Sequence, residues 1–295
     1  MSSLRVVARA VFDCVYLFRS QYQLSTKVRI LYEYWRLTLK LLLVAPLVTL
    51  RRERILGFRV ESFDYETLHF LFREIFVRSQ YWFACPTDRP LILDCGANIG
   101  LATIFFKWLY PHSSVHSFEP DRQTFEMLAR NVRANRLPQV YLHNVALTNA
   151  PGAVEFFVAA TRPGSLLMSL DPQRVPKTDA EKTLVDGAKL STFVNGRPVD
   201  LLKLDVEGAE RIVMEDLVAS GAIEMVRELV LEYHHHADRR RASLGEFLCL
   251  LEEAGFEYQL DAAWASRQSH GEFQDVLLYA FRPDASRSHG QGIPT

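Results

Sequence analysis

The chain has 295 residues, 48% of them hydrophobic and 23% charged, with a formal net charge of −1. That length suits one large domain, or one domain with an extension, and the charge balance gives no footing to a polyanion partner. Its four cysteines, Cys14, Cys85, Cys95 and Cys249, form no CxxC pair, which excludes the usual structural zinc pattern and a disulfide framework and fits a reducing compartment.

Residues 1–56 read as a separate unit. Leu4, Val7, Val11 and Val15 recur at helical spacing. Val28, Leu31, Trp35, Leu39 and Leu42 do so again, with Arg29, Glu33, Arg36 and Lys40 on another face. Two amphipathic helices are expected. Residues 1–54 carry ten Lys/Arg against three Asp/Glu. The plain expectation is a helical cap whose basic face lies in water. The sharper one is peripheral docking to an anionic membrane surface or a charged partner. The order of regions that marks a signal peptide is missing. The longest apolar run, 41–50, contains Pro46 and is about half of the roughly 20 residues a membrane span needs. A cytoplasmic location is expected.

A domain over 57–282 follows. It opens with a short strand pattern at 54–63 and a helix through Leu68, Phe72 and Phe76 that ends near Tyr81 and Trp82. From Leu91 strand and helix patterns alternate. Strands are expected at 91–94, 115–118, 140–142, 199–205 and 225–232. Helices are expected at 99–109, 121–135, 208–218 and 244–254. Residues 154–158 look like an edge insertion, and 162–178 like a long loop, in which 164–170 can fold over a ligand as a lid. The segments 256–260 and 276–281 suit a closing antiparallel pair. Residues 283–295 suit a disordered tail.

Such alternation gives a parallel sheet covered by helices on both faces, with ligands bound beyond the carboxyl ends of its strands. Asp94, Glu119, Asn144, Asp205 and His234 all lie at expected strand ends and should converge on one rim. The turn itself reads Asp94-x-Gly96-x-Asn98-x-Gly100. Its glycines permit positive φ and close approach of a ligand, and Asn98 stands where a third glycine often lies. Glu119 ends the next strand, 19 residues after Gly100, where an acid can accept from both hydroxyls of a ribose. An acid at Asp94 repels a pyrophosphate and suits the cationic S-adenosylmethionine better than NAD.

The strings Asp94-Cys95-Gly96-Ala97-Asn98-Ile99-Gly100, Phe118-Glu119-Pro120, Asn144-Val145-Ala146-Leu147 and Lys203-Leu204-Asp205-Val206-Glu207-Gly208-Ala209-Glu210 resemble the successive motifs of the FkbM-type methyltransferases. The resemblance spans roughly 55–281. It implies an α/β class I methyltransferase fold, Rossmann-like, with a seven-stranded, mostly parallel sheet and one antiparallel strand. It implies S-adenosylmethionine held by Asp94, Gly96, Ala97, Asn98 and Gly100, with Glu119 on the ribose and Asn144 and Ala146 near the adenine. It also implies O-methylation of a sugar, a polyketide or another small metabolite.

An alcohol acceptor needs its proton removed as the new bond forms. Asp205, Glu207 and His234 are the candidates; Glu210, one turn further, reads as structural. Asp205, Glu207 and His234 also offer oxygen and imidazole ligands to Mg²⁺, a reading ranked below the base reading, so no metal is expected. Adjacent residues of the run His234-His235-His236 point alternately and cannot easily share one ion. The alternatives are a NAD-dependent oxidoreductase on the same sheet, and a non-catalytic membrane-associated protein with a vestigial donor site. Nucleic acid is not an expected partner: the Asn/Asp-Pro-Pro-aromatic motif is missing and the basic charge lies away from the rim.

Overall fold

A computed structural model describes residues 3–159, 168–170, 180–235, 244–262 and 274–283. Helices α1 (Ser3–Arg19) and α2 (Leu24–Leu43) lead to strands β1 (Arg52–Ile55) and β2 (Phe58–Glu61). Leu56 and Gly57, with φ of 50° and 96°, make the two-residue turn that suits the twist of paired strands. The single strand expected at 54–63 is therefore the end of β1, the turn and β2. Helix α3 (Tyr65–Phe72) starts at Asp64, whose side chain accepts from the Thr67 N–H at 2.7 Å, and it runs on into a π-helical turn, Arg73–Val77.

The alternating part comprises β3 (Leu91–Cys95), α4 (Leu101–Leu109), β4 (Ser114–Phe118), α5 (Arg122–Ala134), β5 (Val140–His143), β6 (Ala146–Leu147), β7 (Gly152–Ala159), β8 (Ala180–Ala188), α6 (Ser191–Val194), β9 (Val199–Leu204), α7 (Glu210–Ala219), β10 (Val226–His235), α8 (Leu244–Glu253), β11 (Glu257–Ala262) and β12 (Gln274–Phe281). Seven strands form one sheet in the order β11-β12-β10-β9-β3-β4-β5. Only β12 runs against its neighbours. This is the class I methyltransferase fold. All five residues of β3 are buried, as expected for a strand with helices on both faces. The sheet reverses its order between β3 and β9, so the ligand crevice falls beyond the carboxyl ends of that pair.

Strands β6, β8 and β7 form a second, small sheet. Strand β8 was not expected. Polar residues interrupt its sequence, and its Leu184 is exposed, so it carries no buried stripe to betray a strand. Most of the loop at 162–178 and the tail from 284 lie outside the described residues.

The N-terminal helices form as expected, but α2 turns a different face inward. It buries Ile30, Tyr34, Leu37 and Thr38. Val28 and Leu39, from the stripe expected to pack, are 59% and 52% exposed. The charged face meets the β1–β2 hairpin instead of water. Arg36 and Lys40 reach the buried Glu53 at 2.8 and 2.6 Å, and Arg29 donates to the Leu56 carbonyl at 2.8 Å. A carboxylate buried on β1 needs cations nearby, and that need sets the rotation of α2. On α1, buried Asp13 accepts from Arg73 Nε at 2.5 Å and from Tyr34 Oη at 2.8 Å. This ties both helices to the π-helical turn. Among the described residues, no helix is long and apolar enough to cross a membrane.

Candidate functional site

The turn after β3 holds three residues of positive φ, Gly96 at 80°, Asn98 at 49° and Gly100 at 90°. Gly96 is obligatory on space as well as conformation. A Cβ there would lie 1.7 Å from the Asp205 carbonyl oxygen, because β3 and β9 deliver their loops to the same point. Asn98 tolerates the left-handed region, and its Oδ1 accepts from the Ile99 N–H at 2.7 Å.

Each N–H of the turn is already used. Gly96 and Ala97 donate to the Phe118 carbonyl at 3.0 and 2.8 Å, and Gly100 donates to the Ala97 carbonyl at 2.9 Å. Asn98 donates to Glu119 Oε2 at 3.0 Å, and Asp121 donates to Glu119 Oε1 at 3.0 Å. Glu119 is buried, and burial pushes its carboxyl up to about 8 against the pull of these two N–H groups. Asn144 does not face the cavity. Its Nδ2 donates to the Glu119 and Pro120 carbonyls at 2.8 and 2.9 Å and so fixes the loop that carries Glu119.

Asp94 lies beneath the cavity wall. It is fully buried, accepts from Thr103 Oγ1 at 2.7 Å and sits 3.5 Å from Lys203 Nζ. Lys203 is its register partner on β9. The Lys203 ammonium also stands 3.4 Å from Asp205 Oδ2 and donates to the Gly96 carbonyl at 2.7 Å. Burial favours its neutral amine, but Asp205 and Asp94 outweigh burial and hold its pKa above the usual lysine value. Asp94 therefore acts on the cavity through Lys203. That lysine stood in the quoted motif with no role assigned to it.

Across the rim, Asp205 follows β9, and Glu207 sits at φ 54°. The Ser169 hydroxyl donates to the Glu207 carbonyl. His234 is within β10 and not after it. Its Nδ1 lies 2.7 Å from Oε1 of Glu210, which is itself buried and also accepts from the Gly208 N–H at 2.9 Å. Because Oε1 already accepts from the Gly208 N–H, it serves as an acceptor towards the imidazole too, which assigns the ring proton to Nδ1. Nε2 then faces Glu207 Oε2 at 3.3 Å and Asp205 Oδ1 at 4.0 Å. Sequence reasoning undervalued Glu210: spacing within a helix says nothing about a strand that returns alongside it. Donor atoms of Asp205, Glu207 and His234 lie within 4.8 Å of one another, a spacing that admits a cation or a shared proton. His235 is placed only as strand backbone, and His236 lies outside the described residues.

These groups border one cavity that opens to solvent. Gly96, Ala97, Asn98, Glu119 and Ala146 line it, and so do Lys203, Asp205 and Glu207. Gly100, Asn144 and His234 support lining residues without facing the cavity themselves. Apolar walls come from Leu71 and Ile75 of the α3 region, from Phe156, and from Met168 and Leu170. Tyr81 also lines it and donates to Asp205 Oδ2 at 3.4 Å. Leu71 and Ile75 read in sequence only as one face of a helix, and nothing there marks them as cavity walls.

The methyltransferase FkbM domain family matches residues 94–258. Methyltransferase sdnD of Sordaria araneosa is 29% identical over 228 residues, which cover 68% of this chain and 86% of that protein. The 31-O-demethyl-FK506 methyltransferase FkbM of Streptomyces tacrolimicus is 30% identical over 236 residues, 68% of this chain and 87% of its own length. Among solved structures, the methyltransferase FkbM of Methylobacillus flagellatus KT aligns with a TM-score of 0.45 at 15% identity, over 74% of this chain and 54% of that one. The match leaves no place for the oxidoreductase alternative. Because the matched stretch takes in more than half of the chain and both halves of the rim, this protein belongs to the FkbM methyltransferase family.

Proposed function

We propose that the chain transfers a methyl group from S-adenosylmethionine to a hydroxyl oxygen of a small, partly apolar acceptor. The observation that carries this reading is the single cavity with two chemically distinct sets of lining groups. One set, from the Gly96 turn to Glu119 and Ala146, suits a nucleoside. The other, Asp205 and Glu207 backed by His234, suits an acceptor proton.

The residues fit the donor. Glu119 is a buried carboxyl in the cavity wall, and ribose hydroxyls would donate to it. The turn, with its N–H groups spent, presents carbonyl and carboxylate oxygens to an ammonium. Ala146 leaves room for a planar base. When bound, S-adenosylmethionine supplies a methyl carbon already activated by a sulfonium, so the protein must mainly align the reactants. Glu207 would receive the acceptor proton as the O–C bond forms and the C–S bond breaks. His234 Nε2, 3.3 Å behind it, can take that proton on, and Glu210 stabilises the resulting imidazolium from the other ring nitrogen. Apolar walls at Leu71, Ile75 and Met168 would hold the acceptor's carbon skeleton. A relative whose name specifies an O-demethyl substrate supports oxygen as the atom methylated.

Calorimetry with S-adenosylhomocysteine tests the donor half. Native protein and His234→Ala should bind alike, and Glu119→Ala should bind much more weakly. Equal affinity in all three would overturn the site assignment.

A further inference from the structure

We infer that the outer face of the α1–α2 pair is a docking surface for an anionic lipid membrane. Both helices pack on each other and on the π-helical turn Arg73–Val77, so their far flanks point to the same side. Those flanks are apolar. Val11, Val15 and Phe18 follow helical spacing on α1, and Val28, Tyr32, Leu39 and Leu43 follow it on α2; all seven are exposed. Phe18 is 56% exposed, Tyr32 66% and Leu43 65%. A helix apolar on two flanks ordinarily has both covered. Helix α2 has one flank in the core, and its Arg36 and Lys40 are spent on Glu53 of the β1–β2 hairpin.

Charge selects the occupant. Among the described residues 3–51, the two acids are out of reach: Asp13 is buried and Glu33 is paired with Arg36 at 2.8 Å. Arg19 is exposed at the end of α1, and the cations of Lys27 and Arg29 end on the neutral carbonyls of Phe18 and Leu56. A second copy of the same face would bring arginines together with no acid to answer them. Anionic headgroups answer them, and acyl chains take the apolar stripes, which is the composition of an interfacial helix. The docked surface lies two helix layers, about 20 Å, from the cavity, because Leu71 and Ile75 wall that cavity from the layer beneath α1 and α2.

The test is co-sedimentation of the full chain with phosphatidylcholine vesicles, with and without phosphatidylserine. Binding should need phosphatidylserine, weaken with added salt, and fall at least about tenfold in the triple variant Phe18→Gln, Leu39→Gln, Leu43→Gln. These side chains are exposed, so the variant should keep the native melting temperature. No binding to anionic vesicles at low salt would overturn the inference. So would binding that the triple variant leaves unchanged, or a self-association of the native chain that the variant abolishes while vesicles recover neither. Methyl transfer plays no part in this readout, so the inference stands or falls apart from the proposed activity.

Discussion

Donor binding should be linked to the ionisation of Glu119. Burial raises its carboxyl from the usual 4.5 to about 8, so the protein without ligand holds it protonated at neutral pH. Two ribose hydroxyls donating to it require the carboxylate. Donor binding must then expel a proton at any pH below 8. Between pH 8 and pH 6 the ionised fraction falls from a half to about one in a hundred, so affinity for S-adenosylhomocysteine should fall by up to roughly fifty-fold. The sign for stability is opposite. The folded state holds this proton more tightly than the unfolded chain, so the ligand-free protein loses stability as pH climbs from 4.5 towards 8, and bound ligand reverses the trend. Calorimetry in two buffers of different ionisation enthalpy would read the released proton directly, approaching one per site near pH 6. Glu119→Gln should bind weakly with a flat pH profile. A native affinity that is flat from pH 6 to 8, with no proton released, would refute the reasoning.

Three further outcomes follow from particular contacts. Glu210→Gln keeps the hydrogen bond to Gly208 but cannot stabilise an imidazolium; it should lower kcat by roughly 10²-fold or more while leaving affinity for S-adenosylhomocysteine unchanged, and a loss of donor affinity instead would mark it as purely structural. Gly96→Ala forces a Cβ to 1.7 Å from a backbone oxygen and should cost about 4 kcal/mol or prevent folding, whereas Gly245→Ala, in α8 with nothing within 4 Å of its Cβ, should stabilise by about 0.5–1 kcal/mol; urea unfolding measures both. Asp13→Asn leaves buried Arg73 with one carboxylate, Glu74, in place of two and should cost about 1–3 kcal/mol, with no measurable loss showing that water reaches the site.

The sheet was legible because its strands are short apolar runs closed by acids and glycines, and β3, β4, β9 and β10 all fall where those runs stand. The rim was legible for the same reason: Glu119 and Asp205 each follow a strand directly, so topology alone brings them together. Three features were not legible. The face of α2 could not be read because that helix is apolar on two flanks, and the choice between them is made by Glu53, a residue outside the helix. Strand β8 escaped because it belongs to a sheet with a solvent face. The Glu210–His234 contact escaped because it joins residues 24 apart on different elements. Lys203 was visible in its motif, but its position between Asp94 and Asp205 depends on the β3–β9 register.

That lysine changes the argument about which ligand the turn accepts. Read alone, Asp94 repels a pyrophosphate and attracts a cation. With Lys203 between them, Asp94 and Asp205 share one positive charge, and the repulsion loses most of its force. The choice instead rests on the backbone. A dinucleotide turn offers unpaired N–H groups to phosphate oxygens at the start of its helix. Here the N–H groups of Gly96, Ala97, Asn98, Ile99 and Gly100 are all donated within the protein. A pyrophosphate would have to break the Asn98–Glu119 hydrogen bond and then lie against a buried carboxyl, losing about 1–3 kcal/mol for each group left unsatisfied. A ligand that brings donors, an ammonium and two ribose hydroxyls, finds carbonyl oxygens in place and a Glu119 carboxyl that accepts once its proton has left. The turn discriminates by which of its hydrogen-bonding groups are spent, and the acid that seemed to decide the question works from behind the wall.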